Sequence, residues 1–357
     1  MKLGQWVGLL VLVVCLYILW QIRQVVLLIF LAVVLAMAMH RIQLQMQRAG
    51  LKRGTALSLT ILLTLSLIAG FFLLIVPPFF RESAQLAELV PQSLDRLQKW
   101  FLELQQQLPG EVGDFRLLDQ LTQQLQPLVG SISQNFFAFF SNTVGLLINL
   151  LLVLVLTVML LVNPLPYRQG FVRLFPAFYR RRVDAILSRC ELALVGWLTG
   201  TLINMVVIGS VSGAVLLLLG VRLVLANALL AGVLEAIPNI GPVLSVLPPM
   251  AIALLDSPWK ALIVLVAYIV IQQLEQYLLV PTVMAKQVDL LPAVTLLSQV
   301  VFAIFFGFLG LLLALPLVIV AQIWIQEVVI KDILDRWGKD KEEDEPPQPE
   351  LLPETSE

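Results

Sequence analysis

Long apolar runs separated by short polar clusters make up most of the chain. Residues 3–39 form one such run, interrupted only around Gln21, Arg23 and Gln24. A helix rises about 1.5 Å per residue and a bilayer core is about 30 Å thick, so this run predicts two crossings with a turn at Arg23. Further apolar runs cover 55–76, 142–162, 196–220, 223–256, 259–280 and 293–330. The pattern predicts an all-α polytopic membrane protein with about eight transmembrane helices.

The polar segments between these runs divide the chain into six parts. A stripe of apolar residues at spacings of three and four in 90–108 predicts that the longest polar segment is helical. The predicted parts are spans one to three in 1–78, a small helical extracytoplasmic domain in 79–138, span four in 139–163, a basic cytoplasmic segment in 164–192, spans five to eight in 193–332, and a disordered, acidic and proline-rich cytoplasmic tail in 333–357.

Charge asymmetry between the loops predicts their orientation. The loop 41–53 carries four basic residues and no acid, and 164–192 carries six arginines against Asp184 and Glu191. Both are expected in the cytoplasm, and the acidic excess of 79–138 favours the outer side. An even number of spans places both termini in the cytoplasm. The cluster from Arg180 to Arg182 is consistent with two roles, binding of anionic lipid headgroups or fixing of topology, and we favour topology.

The stretch 231–250 is apolar enough for a bilayer but contains a carboxylate, an asparagine and four prolines. A proline removes a backbone donor and clashes with the preceding turn, which predicts a broken or re-entrant helix near 238–242. Broken helices at membrane depth commonly form binding sites in transporters, and Glu235 beside the break favours such a site. The simpler alternative is a short loop between two helices.

A second polar cluster occupies the end of the seventh run, which Pro281 terminates. The last run is too long for one straight crossing, so a bend or re-entrant turn is expected near 307–316. The candidate transport-pathway residues are Glu235, Pro238, Asn239, Gly241, Pro242, Gln272, Gln273, Glu275 and Gln276. The candidate hinges are Pro248, Pro281, Gly307, Gly310 and Pro316.

Glycines in the fifth run are spaced for close helix packing. Gly196 and Gly200, and likewise Gly209 and Gly213, are four residues apart and share a helix face. Small residues let helices approach closely in membranes. Asn204 and two serines in the same run are candidates for a polar route.

Composition excludes several classes of function. Hydrophobic residues make up 59% of the chain and charged residues 13%, with a net charge of −1. This balance argues against nucleic-acid binding, and no glycine-rich phosphate loop is present for nucleotide use. Cys15, Cys190 and His40 are too scattered for a metal site. We expect no cofactor, no metal and no enzymatic activity.

Several motifs resemble the autoinducer-two exporter family, the PerM-like permeases. They are Ile-Pro-Asn-Ile-Gly-Pro at 237–242 followed by Pro248, Gln-Gln-Leu-Glu-Gln-Tyr-Leu-Leu-Val-Pro at 272–281, Pro292, and Gly-Phe-Leu-Gly-Leu-Leu-Leu-Ala-Leu-Pro at 307–316. The resemblance implies eight spans, an extramembrane domain between spans three and four, homo-oligomers and transport. It places the protein in the bacterial cytoplasmic (inner) membrane as a multi-pass protein. Gln276 and the pair Phe302-Ala303 depart from the family pattern.

Three functions are compatible with these features. The first is a secondary transporter or exporter of a small solute, such as an autoinducer-two-like signal, or of a cation, with proton or sodium coupling. The second is a passive oligomeric channel, and the third is a membrane scaffold that recruits partners. An acidic side chain at the bilayer centre must find a donor, a cation, water or a proton. Glu235 and Glu275 therefore belong in the pathway under the first reading and are neutral, hydrogen-bonded structural residues under the alternative.

Overall fold

A computed structural model of the chain describes residues 3–70, 143–279 and 291–334, and the single position Lys99. Every regular element within these ranges is helical, as the sequence predicts. The predicted extracytoplasmic domain at 79–138, apart from Lys99, lies outside the described residues. Pro281 and the tail beyond Leu334 lie outside them as well.

Ten helices are named here in chain order. They are α1 (Leu3–Gln21), α2 (Arg23–Arg48), α3 (Arg53–Gly70), α4 (Thr143–Val162), α5 (Pro164–Arg173), α6 (Arg180–Leu218), α7 (Val224–Leu234), α8 (Ile240–Asp256), α9 (Pro258–Leu274) and α10 (Pro292–Trp324). Two of them continue as π-helical turns, α9 through Glu275–Leu279 and α10 through Ile325–Leu334. The predicted turn at Arg23 lies where α1 ends and α2 begins.

Four stretches of the described residues are long and apolar enough to cross a membrane. They are Arg23–Arg48, Arg180–Leu218, Pro258–Leu279 and Ala293–Leu334. A fifth crossing is added if α4 and α5 count as one span, bent by 90° at Asn163. The chain is therefore built as a multi-pass membrane protein, but the eight predicted spans are not confirmed and that number stays a prediction.

The helix α6 is much longer than the fifth span predicted from the sequence. It runs for 39 residues from Arg180, so its first part is formed by the basic segment 164–192. Its other half packs closely on α7. A Cβ atom built on Gly232 of α7 would lie 2.6 Å from the Met205 carbonyl oxygen, and one on Gly213 would lie 3.0 Å from the Ala228 Cβ. Glycine at these positions lets the two backbones approach, as the Gly209 and Gly213 spacing predicts.

The helices α7 and α8 form a hairpin, here called the α7–α8 hairpin. Laid end to end they would separate Val224 from Asp256 by about 40 Å. Instead, Lys260 Nζ at the start of α9 donates to the Gly220 carbonyl oxygen at 2.8 Å, so α8 ends beside the turn where α7 begins. Val224 at the start of α7 packs against the hydrophobic cluster that contains Ile252, near the end of α8. The predicted sixth crossing is therefore replaced by a helix pair that returns to the end from which it starts.

A second sharp bend lies in α10 at Gly307, whose φ of 65° is left-handed. A Cβ atom on Gly310 would overlap the Phe302 carbonyl oxygen. In a straight helix these residues would be about 12 Å apart, so the two halves of α10 fold toward each other. Two predicted hinges behave differently, because α8 continues through Pro248 and α10 continues through Pro316.

The start of α6 is joined to the end of α10 by a group of charged residues, here called the Glu327 cluster. The buried Glu327 carboxylate contacts Arg182 Nη2 at 2.7 Å, Lys331 Nζ at 2.7 Å, and Arg189. Beside it, the Tyr179 hydroxyl donates to Asp332 Oδ2 at 2.5 Å. Burial and the neighbouring Asp332 carboxylate raise the pKa of Tyr179, which keeps the phenol a neutral donor.

Candidate functional site

The break between α7 and α8 is formed by Glu235–Asn239 together with the residues that stabilise it. Pro238 cannot donate a backbone hydrogen bond, and Asn239 has a left-handed φ of 66°. The Gly241 amide then donates to the Ile237 carbonyl oxygen at 2.8 Å. A Cβ atom on Gly241 would overlap the Leu234 carbonyl oxygen, so only glycine fits this close approach.

A cavity of about 510 Å³ lies between this break and α9. Eight of the nine candidate pathway residues line it: Glu235, Pro238, Asn239, Pro242, Gln272, Gln273, Glu275 and Gln276. The ninth, Gly241, packs against Leu234 instead. The cavity with these linings is called the hairpin cavity below. The structure thus brings together two polar clusters that are about forty residues apart in sequence.

Two buried carboxyl groups line this site. Glu235 is 5% exposed and Glu275 is 6% exposed, and both side chains belong to the wall of the hairpin cavity. Asn204 Nδ2 of α6 donates to Glu275 Oε1 at 3.0 Å. Among the described residues, Oε2 of Glu235 has no hydrogen-bond partner.

Three further residues complete the site. The sequence suggests Asn204 for a polar route, whereas Tyr268 and Gln299 are not among the predicted candidates. Asn204 binds Glu275 from α6, and Tyr268 of α9 lines the cavity. Gln299 of α10, which is fully buried, donates through Nε2 to the Pro238 carbonyl oxygen at 2.7 Å. Each is a polar side chain in an apolar run, which is the sequence signal that identifies it. Which neighbour each one contacts depends on long-range packing.

The walls of the hairpin cavity define what it can bind. One side is apolar and is formed by Val243, Val246, Leu265 and Ile269. The polar side offers carboxyl, amide and phenol groups, and no lysine, arginine or histidine is among the described residues that line it. Such a lining supplies oxygen acceptors for hydroxyl groups, amines or a cation, and it offers no fixed positive charge to an anion. Among the described residues, no group of three or more His, Cys, Asp or Glu side chains could hold a metal ion.

Comparison with known proteins assigns the chain to a family. It matches the AI-2E family transporter over residues 9–330, which is most of its length. The chain belongs to the AI-2E transporter family. The resemblance predicted from the proline and glycine motifs is therefore confirmed.

Relatives within this family come from several bacteria. "AI-2 transport protein TqsA" of Escherichia coli is 30% identical over 214 residues, which cover 59% of this chain and 60% of the relative. "Putative transport protein YueF" of Bacillus subtilis is 26% identical over 235 residues, covering 65% of this chain and 62% of the relative. "Putative permease PerM" of Escherichia coli is 24% identical over 314 residues, covering 86% and 85%.

The matches to TqsA and YueF thus span less than two thirds of those proteins. All three relatives are named for transport and none for an enzymatic reaction. A membrane transporter that is not an enzyme is consistent with these names and with the apolar helices.

Proposed function

We propose that this protein is a secondary transporter that moves a small polar solute or a cation through the hairpin cavity, with coupling to a proton or sodium gradient. The observation that carries the proposal is the pair of buried carboxyl groups, Glu235 and Glu275, at a helix break beside a cavity of about 510 Å³. An acidic side chain inside a membrane is costly, about 2.5–3.5 kcal/mol on insertion scales. Two such groups at one cavity favour a function that uses them.

The shape of the α7–α8 hairpin supports a pathway at this position. Discontinuous helices expose backbone groups that a continuous helix would use internally, and transporters use such breaks to bind their cargo. Here Gln299 binds the Pro238 carbonyl oxygen, so α10, itself bent at Gly307, contacts the break directly. A rearrangement of either broken element would change the cavity.

The proposal also covers the orientation of the chain in the membrane and its assembly. We place both termini, the loop 41–53 and the segment 164–192 in the cytoplasm, and 79–138 outside, in a bacterial inner membrane. The α7–α8 hairpin is re-entrant from the outer side, and the protein forms a homo-oligomer. The distribution of basic residues supports the orientation, and the contact between Lys260 and Gly220 supports the hairpin. The homo-oligomer is proposed from the family resemblance alone.

The name of TqsA suggests AI-2 as the first cargo to test. Inverted membrane vesicles that contain the protein would be screened with AI-2, sodium and a panel of small polar solutes. Uptake that rises with an imposed proton or sodium gradient supports the proposal. Flux that runs only down the solute's own gradient would indicate a passive channel, and purified protein without flux of any solute would indicate a scaffold.

A further inference from the structure

The helix α5 leaves α4 at a right angle. α4 has 20 residues, about the 30 Å that a crossing requires. The backbone angles of Asn163, just before Pro164, are not helical, so α4 ends there and α5 continues at 90°. If α4 crosses the bilayer, α5 lies in the plane of the membrane surface.

Large apolar side chains are exposed on α5 and on the segment that follows it. Phe178 is 88% exposed and Leu174 is 79% exposed. Leu165 and Phe171 are exposed as well. A helix that lies in the interface buries such side chains among the acyl chains while its charged groups remain among the headgroups.

The arginines of this region fall into two groups. Arg168, Arg182 and Arg189 are engaged by carboxylates: Arg168 Nε contacts Asp184 Oδ1 at 2.7 Å, and the other two contact Glu327. The second group is Arg173, Arg180 and Arg181. These three are exposed and form no ion pair with any described residue, although Arg180 Nε donates to the Phe175 carbonyl oxygen at 3.0 Å.

We propose that Arg173, Arg180 and Arg181, together with the exposed apolar side chains of Leu174 and Phe178, form a binding surface for anionic phospholipid headgroups. A guanidinium donates two parallel hydrogen bonds to a phosphate group, which favours arginine over a simple point charge. The apolar side chains enter the acyl region beside it. Arg182 belongs to the Glu327 cluster and is not part of this surface. Of the three consecutive arginines, Arg180 and Arg181 therefore bind lipid and Arg182 pairs with Glu327.

The test uses the purified full-length protein in detergent. Phosphatidylglycerol and phosphatidylcholine with identical acyl chains are titrated, and bound lipid is counted by native mass spectrometry. The wild type should prefer phosphatidylglycerol, and each Arg→Gln change at positions 173, 180 and 181 should lower this preference about fivefold. Arg→Lys changes at the same positions should retain part of it. Higher salt should weaken it, because the three arginines are exposed.

The matched control is Arg168→Gln, which removes the same charge from α5, the helix that also carries Arg173, but from a residue already paired with Asp184. It should leave the preference unchanged. The proposal is overturned if the wild type shows no preference, if the three Gln changes leave it intact, or if Arg168→Gln lowers it equally. Free glycerol phosphate that displaces phosphatidylglycerol at equal concentration would indicate a soluble-anion site instead. If one of the three Gln variants does not assemble, the other two give the same comparison.

Discussion

The Glu327 carboxylate lies in an apolar helix, and the structure shows how it is stabilised there. Its side chain is buried and is surrounded by Arg182, Arg189 and Lys331. The three cations are themselves partly exposed, so their own desolvation is small. We infer that the carboxylate joins the start of α6 to the end of α10.

Replacement of Glu327 by Gln should therefore lower the stability of the protein. Hydrogen bonds to charged groups contribute about 1.5–3 kcal/mol each, so a loss of about 1–3 kcal/mol in the free energy of unfolding is expected. Equilibrium unfolding of the wild type and Glu327→Gln in mixed micelles measures this difference in free energy. The matched control Glu191→Gln removes a carboxylate that is 34% exposed and contacts Arg168 at 3.4 Å, and should cost about 0–1 kcal/mol. Equal losses in both variants would show that Glu327 has no special structural role.

Individual site residues differ in how far the sequence identifies them. Glu235 and Glu275 stand out because a carboxylate in an apolar run needs a partner. Asn204 and Gln299 are isolated polar residues as well, but they contact residues 71 and 61 positions away. No periodicity in the sequence encodes such pairs. The π-helical turn that begins at Glu275 has no sequence signal either.

For the helices, too, local features can be predicted from the sequence, whereas long-range packing cannot. The break near Pro238 and the bend at Gly307 are predicted because proline and glycine act on the adjacent backbone. The sequence predicts a broken or re-entrant segment near Pro238 but does not decide between the two, because the return of α8 to the start of α7 depends on contacts such as the one between Lys260 and Gly220. Pro248 lies inside α8 without ending it, since packing in a membrane protein can compensate for a proline.

The contact between α6 and α7 gives a prediction for Gly232. Its missing Cβ would lie 2.6 Å from the Met205 carbonyl oxygen, so Gly232→Ala must push the two helices apart. Overpacking of this kind costs about 1–3 kcal/mol. Gly170→Ala is the control, because a Cβ there meets no atom within 4 Å, and it should be neutral or stabilising by about 0.5–1 kcal/mol. Thermal unfolding of both variants measures these changes in stability. An unchanged unfolding temperature for Gly232→Ala would contradict the close contact between α6 and α7.

For the whole molecule, the α7–α8 hairpin changes the topology expected from the apolar runs. A sixth crossing would place Arg222 and Trp259 on opposite sides of the membrane, whereas the hairpin places them on the same side. Both positions are exposed and suit cysteine substitution after Cys15 and Cys190 are replaced by alanine.

We expect Arg222→Cys and Trp259→Cys to react with an impermeant thiol reagent from the outer side. Cysteines at Gln92 and Gln169 complete the set: position 92 should react from outside and position 169 from the cytoplasm, as the loop charges predict. Reaction of positions 222 and 259 from opposite sides would exclude the hairpin. Reaction of positions 92 and 169 from one side would exclude the assigned orientation.

We propose that coupled transport depends on the two buried carboxyl groups in the hairpin cavity, Glu235 and Glu275. The most direct test is gradient-driven flux in proteoliposomes, with AI-2 and sodium as the first probes, for wild type, Glu275→Gln, Glu235→Gln and the control Glu191→Gln. Gln keeps the shape and hydrogen-bonding capacity of the side chain but cannot bind and release a proton. We predict that Glu275→Gln and Glu235→Gln assemble normally, lose gradient-driven flux and lose its pH dependence, while Glu191→Gln retains both. Wild-type flux and pH response in both cavity variants would contradict it and leave these carboxyl groups with a structural role alone.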